Sequence, residues 1–125
     1  MDLNHVTGEI VDSAMKVHTR LGPGLLESAY EACLHYELNK RGFGVCAQVA
    51  LPVVYDGVRI DLGYRLDLIV EDSVIVELKA VETIHPTHKA QLLSYLRLSQ
   101  KRVGLLLNFN VVHFKDGIFR VVNGL

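Results

Sequence analysis

The sequence predicts a single mixed α/β domain, and three observations carry that expectation. Residues 65–80, RLDLIVEDSVIVELKA, alternate apolar and charged side chains on either side of Glu71-Asp72-Ser73, the pattern of two short strands and their loop. Two stretches before it repeat apolar residues at helical spacing. After it come a helical segment and then VGLLLNF (Val103–Phe109), a continuous apolar run that marks a strand buried on both faces. Strand, helix and buried strand in succession make a right-handed crossover into a parallel neighbour the natural topology.

Taken in order, the first helix is expected from about His5 to Leu21, with Val6, Ile10, Ala14, Val17 and Leu21 on its buried side. Gly22-Pro23-Gly24 ends it and turns the chain. The second helix is expected over Leu25–Arg41, with Leu26, Tyr30, Cys33 and Leu34 as its stripe and Gly42 as a left-handed cap. Glu27 lies in its first turn, where a carboxylate complements the helix dipole. A strand over Val45–Tyr55 follows, bent at Pro52, then an Asp56-Gly57 turn and a return strand over Val58–Leu62. Gly63 reads as a bulge or kink ahead of the central hairpin. The crossover helix begins at Pro86 and runs to about Gln100, with Leu92, Leu93 and Leu96 on its apolar side. His88, Gln91 and Tyr95 form its neighbouring polar stripe. A terminal hairpin is expected from Val111–Lys115 and Ile118–Val122, joined at Asp116-Gly117.

The central hairpin is where charge collects. With Val70 opposite Val74, Asp67 falls opposite Glu77. Leu66, Leu68, Val70, Val74, Val76 and Leu78 then share one apolar face, while Arg65, Asp67, Ile69, Ile75, Glu77 and Lys79 share the other. Two carboxylates placed opposite each other repel, so the arrangement calls for a cation between them. By itself this pattern also suits a solvated outer face, and a one-residue slip in register would dissolve it.

Composition narrows the classes. At 125 residues, half of them apolar, the chain suits one soluble globular domain spanning 1–125. A formal charge of −1 gives no global attraction to nucleic acid, so any such contact must be local. Cys33 and Cys46 form no CxxC and read as reduced thiols of a cytoplasmic protein. The acidic, amphipathic MDLNHVTGEIVDS is unlike a signal peptide, and no apolar run has the length of a membrane span.

The charged residues and the order of elements resemble the small GxxExxY family of the PD-(D/E)XK nuclease superfamily. The GxxExxY signature stands as Gly24-Leu25-Leu26-Glu27-Ser28-Ala29-Tyr30, and the core signature as Asp67 followed by Glu77-Leu78-Lys79 on the next strand. The QxxxY of the helicase–nuclease branch stands as Gln91-Leu92-Leu93-Ser94-Tyr95. Leu66 occupies the position where the signature has proline. The resemblance covers nearly the whole chain. It implies a restriction-endonuclease-like mixed β-sheet flanked by helices, in one compact domain closed by the C-terminal β-hairpin. It also implies Asp67 and Glu77 as metal ligands, Lys79 as the catalytic lysine, and Glu27 as a further ligand or water-orienting carboxylate. Gln91 and Tyr95 would position DNA or the metal shell.

The chemistry agrees with those roles. Phosphodiester hydrolysis must generate hydroxide at neutral pH and stabilise charge on the phosphoryl oxygens. Hard carboxylate oxygens favour Mg²⁺ or Mn²⁺ over zinc for that work. Lys89, Arg97, Lys101 and Arg102 are candidates for guiding a nucleic-acid backbone, although helix charge is more often simply solvated. His85 and His88 lack further ligands nearby in sequence, and Cys33 and Tyr30 read as packing residues. The sequence therefore points to a metal-dependent nuclease acting on DNA. The alternatives are a catalytically idle module of the same fold that binds a protein or nucleic-acid partner, and a homodimer that completes the substrate surface along the terminal hairpin.

Overall fold

Helix α1 spans Leu3–Leu21 and α2 spans Glu27–Lys40, in a computed structural model that describes residues 2–124. Next come β1 (Val45–Ala50), β2 (Val53–Tyr55), β3 (Val58–Ile60), β4 (Arg65–Val70) and β5 (Val74–Lys79). Helix α3 (Pro86–Ser99), β6 (Val103–Asn108), a 3₁₀ turn (Phe114–Gly117) and β7 (Ile118–Val122) complete the order. The main sheet has five strands in the order β1-β4-β5-β6-β7. Strands β5 and β6 run parallel, joined across α3, and the other neighbours run antiparallel. This is the mixed, helix-flanked sheet that the sequence predicts.

Two apolar layers sandwich the sheet. Val6, Ile10 and Ala14 of α1 and Tyr30, Leu34 and Leu38 of α2 pack on Leu68, Val70, Val74, Val76 and Leu78. On the other side Leu92, Tyr95 and Leu96 of α3 pack on Ile75 and Leu106. Alternation along β5 thus feeds both layers, as the pleat requires. Helix α3 lies so close to β6 that a Cβ on Gly104 would come within 2.9 Å of the Leu92 side chain.

Local chemistry sets the boundaries. Asp2 caps α1 by accepting the Asn4 N–H. Gly42, at φ 90°, closes α2 as expected: Phe43 N–H bonds Leu38 C=O and Gly42 N–H bonds Asn39 C=O. Asp56 and Gly57 both take positive φ, as a two-residue hairpin turn demands.

Several expectations change. Leu21 and Leu26 do not belong to the buried stripes: Leu21 is exposed at the end of α1, and Leu26 is the N-cap of α2 and 78% exposed. The strand expected over Val45–Tyr55 is two strands, because the pairing of β1 ends at Ala50, just before Pro52. Strands β2 and β3 form their own two-stranded sheet, an arm inserted between β1 and β4, which pair directly through Ala50 and Arg65. The terminal hairpin has no Val111–Lys115 strand. Phe114 turns inward to pack on Phe109 at 4.9 Å between ring centroids, and burial of that aromatic outweighs extension of the backbone. Gly117 serves close approach and not a hairpin turn, since a Cβ there would lie 2.1 Å from the Asn108 carbonyl oxygen. Strand β7 therefore pairs with β6 as an edge strand.

Candidate functional site

The pairing of β4 with β5 starts as the alternation requires, with Val70 opposite Val74, Ile69 opposite Ile75 and Leu68 opposite Val76. Beyond Leu68 the acids take over. Asp67 N–H donates to the Glu77 carboxylate at 2.8 Å, and Leu78 N–H donates to the Asp67 carboxylate at 2.9 Å. Each acid is therefore pinned to the backbone of the opposite strand, and the two carboxyl groups are held side by side. The sequence puts both acids and Lys79 on one face of the hairpin, with a cation called for between the carboxylates. In the structure these carboxylates reach into the seam between the strands.

Gln48 stands opposite Asp67 on β1, takes a left-handed φ of 52°, and drops out of the ladder between Ala47–Leu68 and Val49–Leu66. The alternation breaks at the same place. Leu66, expected on the face of Leu68, packs instead in the layer beneath α3 with Leu51, Ile75 and Tyr95.

Burial and repulsion govern the electrostatics. Glu77 is 7% exposed. Its carboxyl is pushed up to about 8, first by burial and then by the negative Asp67 beside it. The Asp67 N–H and the Lys79 ammonium oppose that shift without cancelling it. Lys79, two residues along the same strand and half-buried, is thus the nearby positive charge of an acid-rich site.

Helix α2 contributes from the side. Glu27 is its first residue, exposed, and close enough to act on both Glu31 and His88. The loop before it is fixed by Tyr30. This side chain is fully buried, donates its hydroxyl to Gly22 C=O, accepts Leu25 N–H at 3.1 Å, and stacks on Phe109 at 4.4 Å. Gly24 is required for its φ of 103°, not for close approach to the sheet, because a Cβ there would meet nothing within 4 Å. In the Gly24–Tyr30 stretch, the glycine and the tyrosine shape the turn that presents Glu27.

Glu31 is the residue that sequence reasoning missed. It is half-buried, one helical turn after Glu27, and its carboxyl is raised first by burial and further by Asp67 and Glu27. A hydrogen bond from the Gln48 amide at 2.8 Å partly offsets the rise. The i, i+4 spacing from Glu27 was the available signal. The unusual backbone of Gln48 left none.

Tyr95 of α3, expected on a polar stripe beside the helix's apolar side, is buried. Its phenol is raised first by burial, then by Glu77, Tyr64 and Asp67, so it borders the carboxylates. Gln91 lies one turn earlier and is exposed. His88 accepts the His85 N–H on Nδ1 at 3.0 Å, which accounts for the pair as a helix start.

Among the described residues, no three His, Cys, Asp or Glu side chains are gathered into a ready metal cage. The donor chemistry nevertheless fits a hard divalent cation. Asp67, Glu77, Glu31 and Glu27 offer carboxylate oxygens, and the buried Glu77 carboxylate lacks a full counter-charge.

A mixed sheet with two helices on one face, a crossover helix on the other and paired acids plus a lysine on its central hairpin defines a nuclease-like class. The chain matches the model of the PD-(D/E)XK nuclease superfamily over residues 4–121 and belongs to that superfamily. Neither the curated proteins nor the solved structures searched gave a match. No helix among the described residues is long and apolar enough to cross a membrane.

Proposed function

We propose that this domain is a metal-dependent nuclease that hydrolyses phosphodiester bonds in DNA, following the GxxExxY pattern within its superfamily. The observation that carries the reading is the Asp67–Glu77 pair, cross-bonded between strands with Glu77 buried and Asp67 half-buried, and followed by Lys79. A fold gains nothing from bringing two acids together in low dielectric, and burial together with Asp67 raises the Glu77 carboxyl accordingly.

Asp67 and Glu77 would hold Mg²⁺ or Mn²⁺, with Glu27 and Glu31 of α2 as the neighbouring carboxylates. When bound, the ion supplies a water of lowered pKa and positive charge for the phosphoryl oxygens. The cross-strand hydrogen bonds fix one oxygen of each acid and leave the other for a ligand. Lys79 orients the attacking water or stabilises negative charge on the phosphate, and its ammonium tempers the repulsion between the acids. Tyr95 and Gln91 line the approach from α3 and position the strand.

Incubation with single- and double-stranded DNA in Mg²⁺ or Mn²⁺, against a Lys79→Ala control, tests the reading. The wild type should cleave with either ion, and Lys79→Ala should lose about 10²-fold or more in rate. An absence of cleavage on both substrates with both ions would assign the chain to the idle, partner-binding members of the fold.

A further inference from the structure

The β2–β3 arm leaves a cavity of about 240 Å³ at its base, lined by Leu51, Arg59, Asp61, Gly63, Tyr64 and Arg65. Tyr64 is the lining residue whose ring meets α3. Its ring centroid lies 6.0 Å from that of Tyr95, which in turn borders Glu77 and Asp67. The Tyr64 backbone is held: its carbonyl accepts Leu51 N–H at 2.9 Å, and Gly63 at φ 79° sets the bend before it. The residue is nevertheless 42% exposed. An aromatic ring fixed at its backbone and presented to solvent beside a phosphate-cleaving site has the chemistry of a base platform. Two guanidiniums share the cavity. Arg59 meets Asp61 only at 3.5 Å, with both side chains mostly exposed, so it remains available to a phosphate.

We infer that this cavity is a nucleotide subsite in which Tyr64 stacks on an unpaired base next to the scissile phosphate, while Arg59 and Arg65 hold the adjoining backbone. The substrate class is then single-stranded DNA, or a strand opened beside the cut. The inference rests on the nuclease reading above and deepens it. The charge distribution supports it: with a formal charge of −1 the chain has no overall basic character with which to grip a duplex, whereas stacking needs none. In a duplex the base faces are already covered by their neighbours, so Tyr64 selects against it.

The test uses fluorescence anisotropy with a labelled oligo-dT and with the same strand paired to oligo-dA, in Mg²⁺, on the full chain carrying Lys79→Ala. The single strand should bind at least about tenfold tighter than the duplex. Adding Tyr64→Ala should erase most of that preference, about 5- to 100-fold, and Tyr64→Phe should keep it. The phenylalanine variant excludes a role of the phenol hydroxyl, and an unchanged melting temperature in Tyr64→Ala separates stacking from a merely structural loss. Arg59→Ala, on an exposed side chain that leaves the fold intact, should weaken single-strand binding and lower its salt dependence by about one ion. Equal affinity for the two probes, no binding to either, or a preference untouched by Tyr64→Ala would overturn the subsite. Wild-type cleavage distinguishes the two failures: equal cutting of both forms leaves the nuclease standing without the subsite, and no cutting removes the nuclease reading itself.

Discussion

Asp67 and Glu77 are joined crosswise: each carboxylate accepts a backbone N–H from the strand that carries the other. The acids thereby replace the ladder that ends at Leu68–Val76. Two acids serve as the local connection between β4 and β5, and the stability of that connection must depend on protons and cations.

The sign of the proton dependence follows from Glu77. Its folded-state carboxyl sits at about 8, against an ordinary value of 4.5. Its favourable contribution is complete below about 4.5 and is lost as pH rises from there to about 8, because the unfolded chain releases the proton first. Without divalent ions the protein should therefore melt lower at pH 8 than at pH 5.5. Glu77→Gln keeps an acceptor for Asp67 N–H and should remove most of that decline, worth a few kcal/mol. Thermal melts of both proteins in EDTA across this range check it, and parallel curves would refute it.

Cation binding should reverse the same loss. Mg²⁺ or Mn²⁺ bound to the folded state raises Tm with ion concentration by mass action, and below pH 8 it should displace the Glu77 proton. Asp67→Asn should stabilise the ion-free protein relative to wild type and abolish the response. Calorimetric titration in two buffers of different ionisation enthalpy reads the released proton. An unchanged Tm at millimolar ion would argue against the metal site.

Tyr30 predicts a coupling of fold to site. Tyr30→Phe keeps the stack on Phe109 but deletes the hydroxyl bonded to Gly22 C=O and Leu25 N–H. A loss of about 1 kcal/mol in urea unfolding is expected, since a partly buried carbonyl and an amide lose their shared partner. Any nuclease rate should fall further than the stability alone explains, because the turn that presents Glu27 loosens.

At Gly117 the expectation is purely steric. A methyl group would meet the Asn108 carbonyl at 2.1 Å, so Gly117→Ala must displace backbone. It should destabilise by about 1–3 kcal/mol or more. Asn108 also brackets Val81, accepting its N–H at 3.1 Å and donating to its C=O at 2.9 Å, just beyond Lys79. The ion-induced rise in Tm should therefore shrink in the same variant.

The central hairpin was legible because its alternation and three-residue loop favour the register that puts Leu68, Val70, Val74, Val76 and Leu78 on one buried face. Gly42 and Asp56-Gly57 were legible because few residues tolerate positive φ. Other features left no local trace. The Gln48 backbone is set by the break opposite Asp67, and nothing in ALA-GLN-VAL announces it. Leu66 changes layers for the same reason, so strict alternation misplaced it. Glu31 joins the acids only because two separate elements, α2 and β4, converge. Asp116-Gly117 carried a true turn signal, but tertiary burial of Phe114 decided the conformation of the segment.

The direct pairing of Ala50 with Arg65 makes the β2–β3 arm an appendix to a continuous β1–β4 ladder. Its twelve residues, 52–63, leave from Leu51 and return to Tyr64, which are joined N–H to C=O at 2.9 Å, so a short turn can bridge the same gap without shifting any register in the main sheet. The arm is in that sense a cassette. The scaffold that holds the acids need not be redesigned for its length or sequence to change, and the surface that the arm presents can diverge independently of the acid pair.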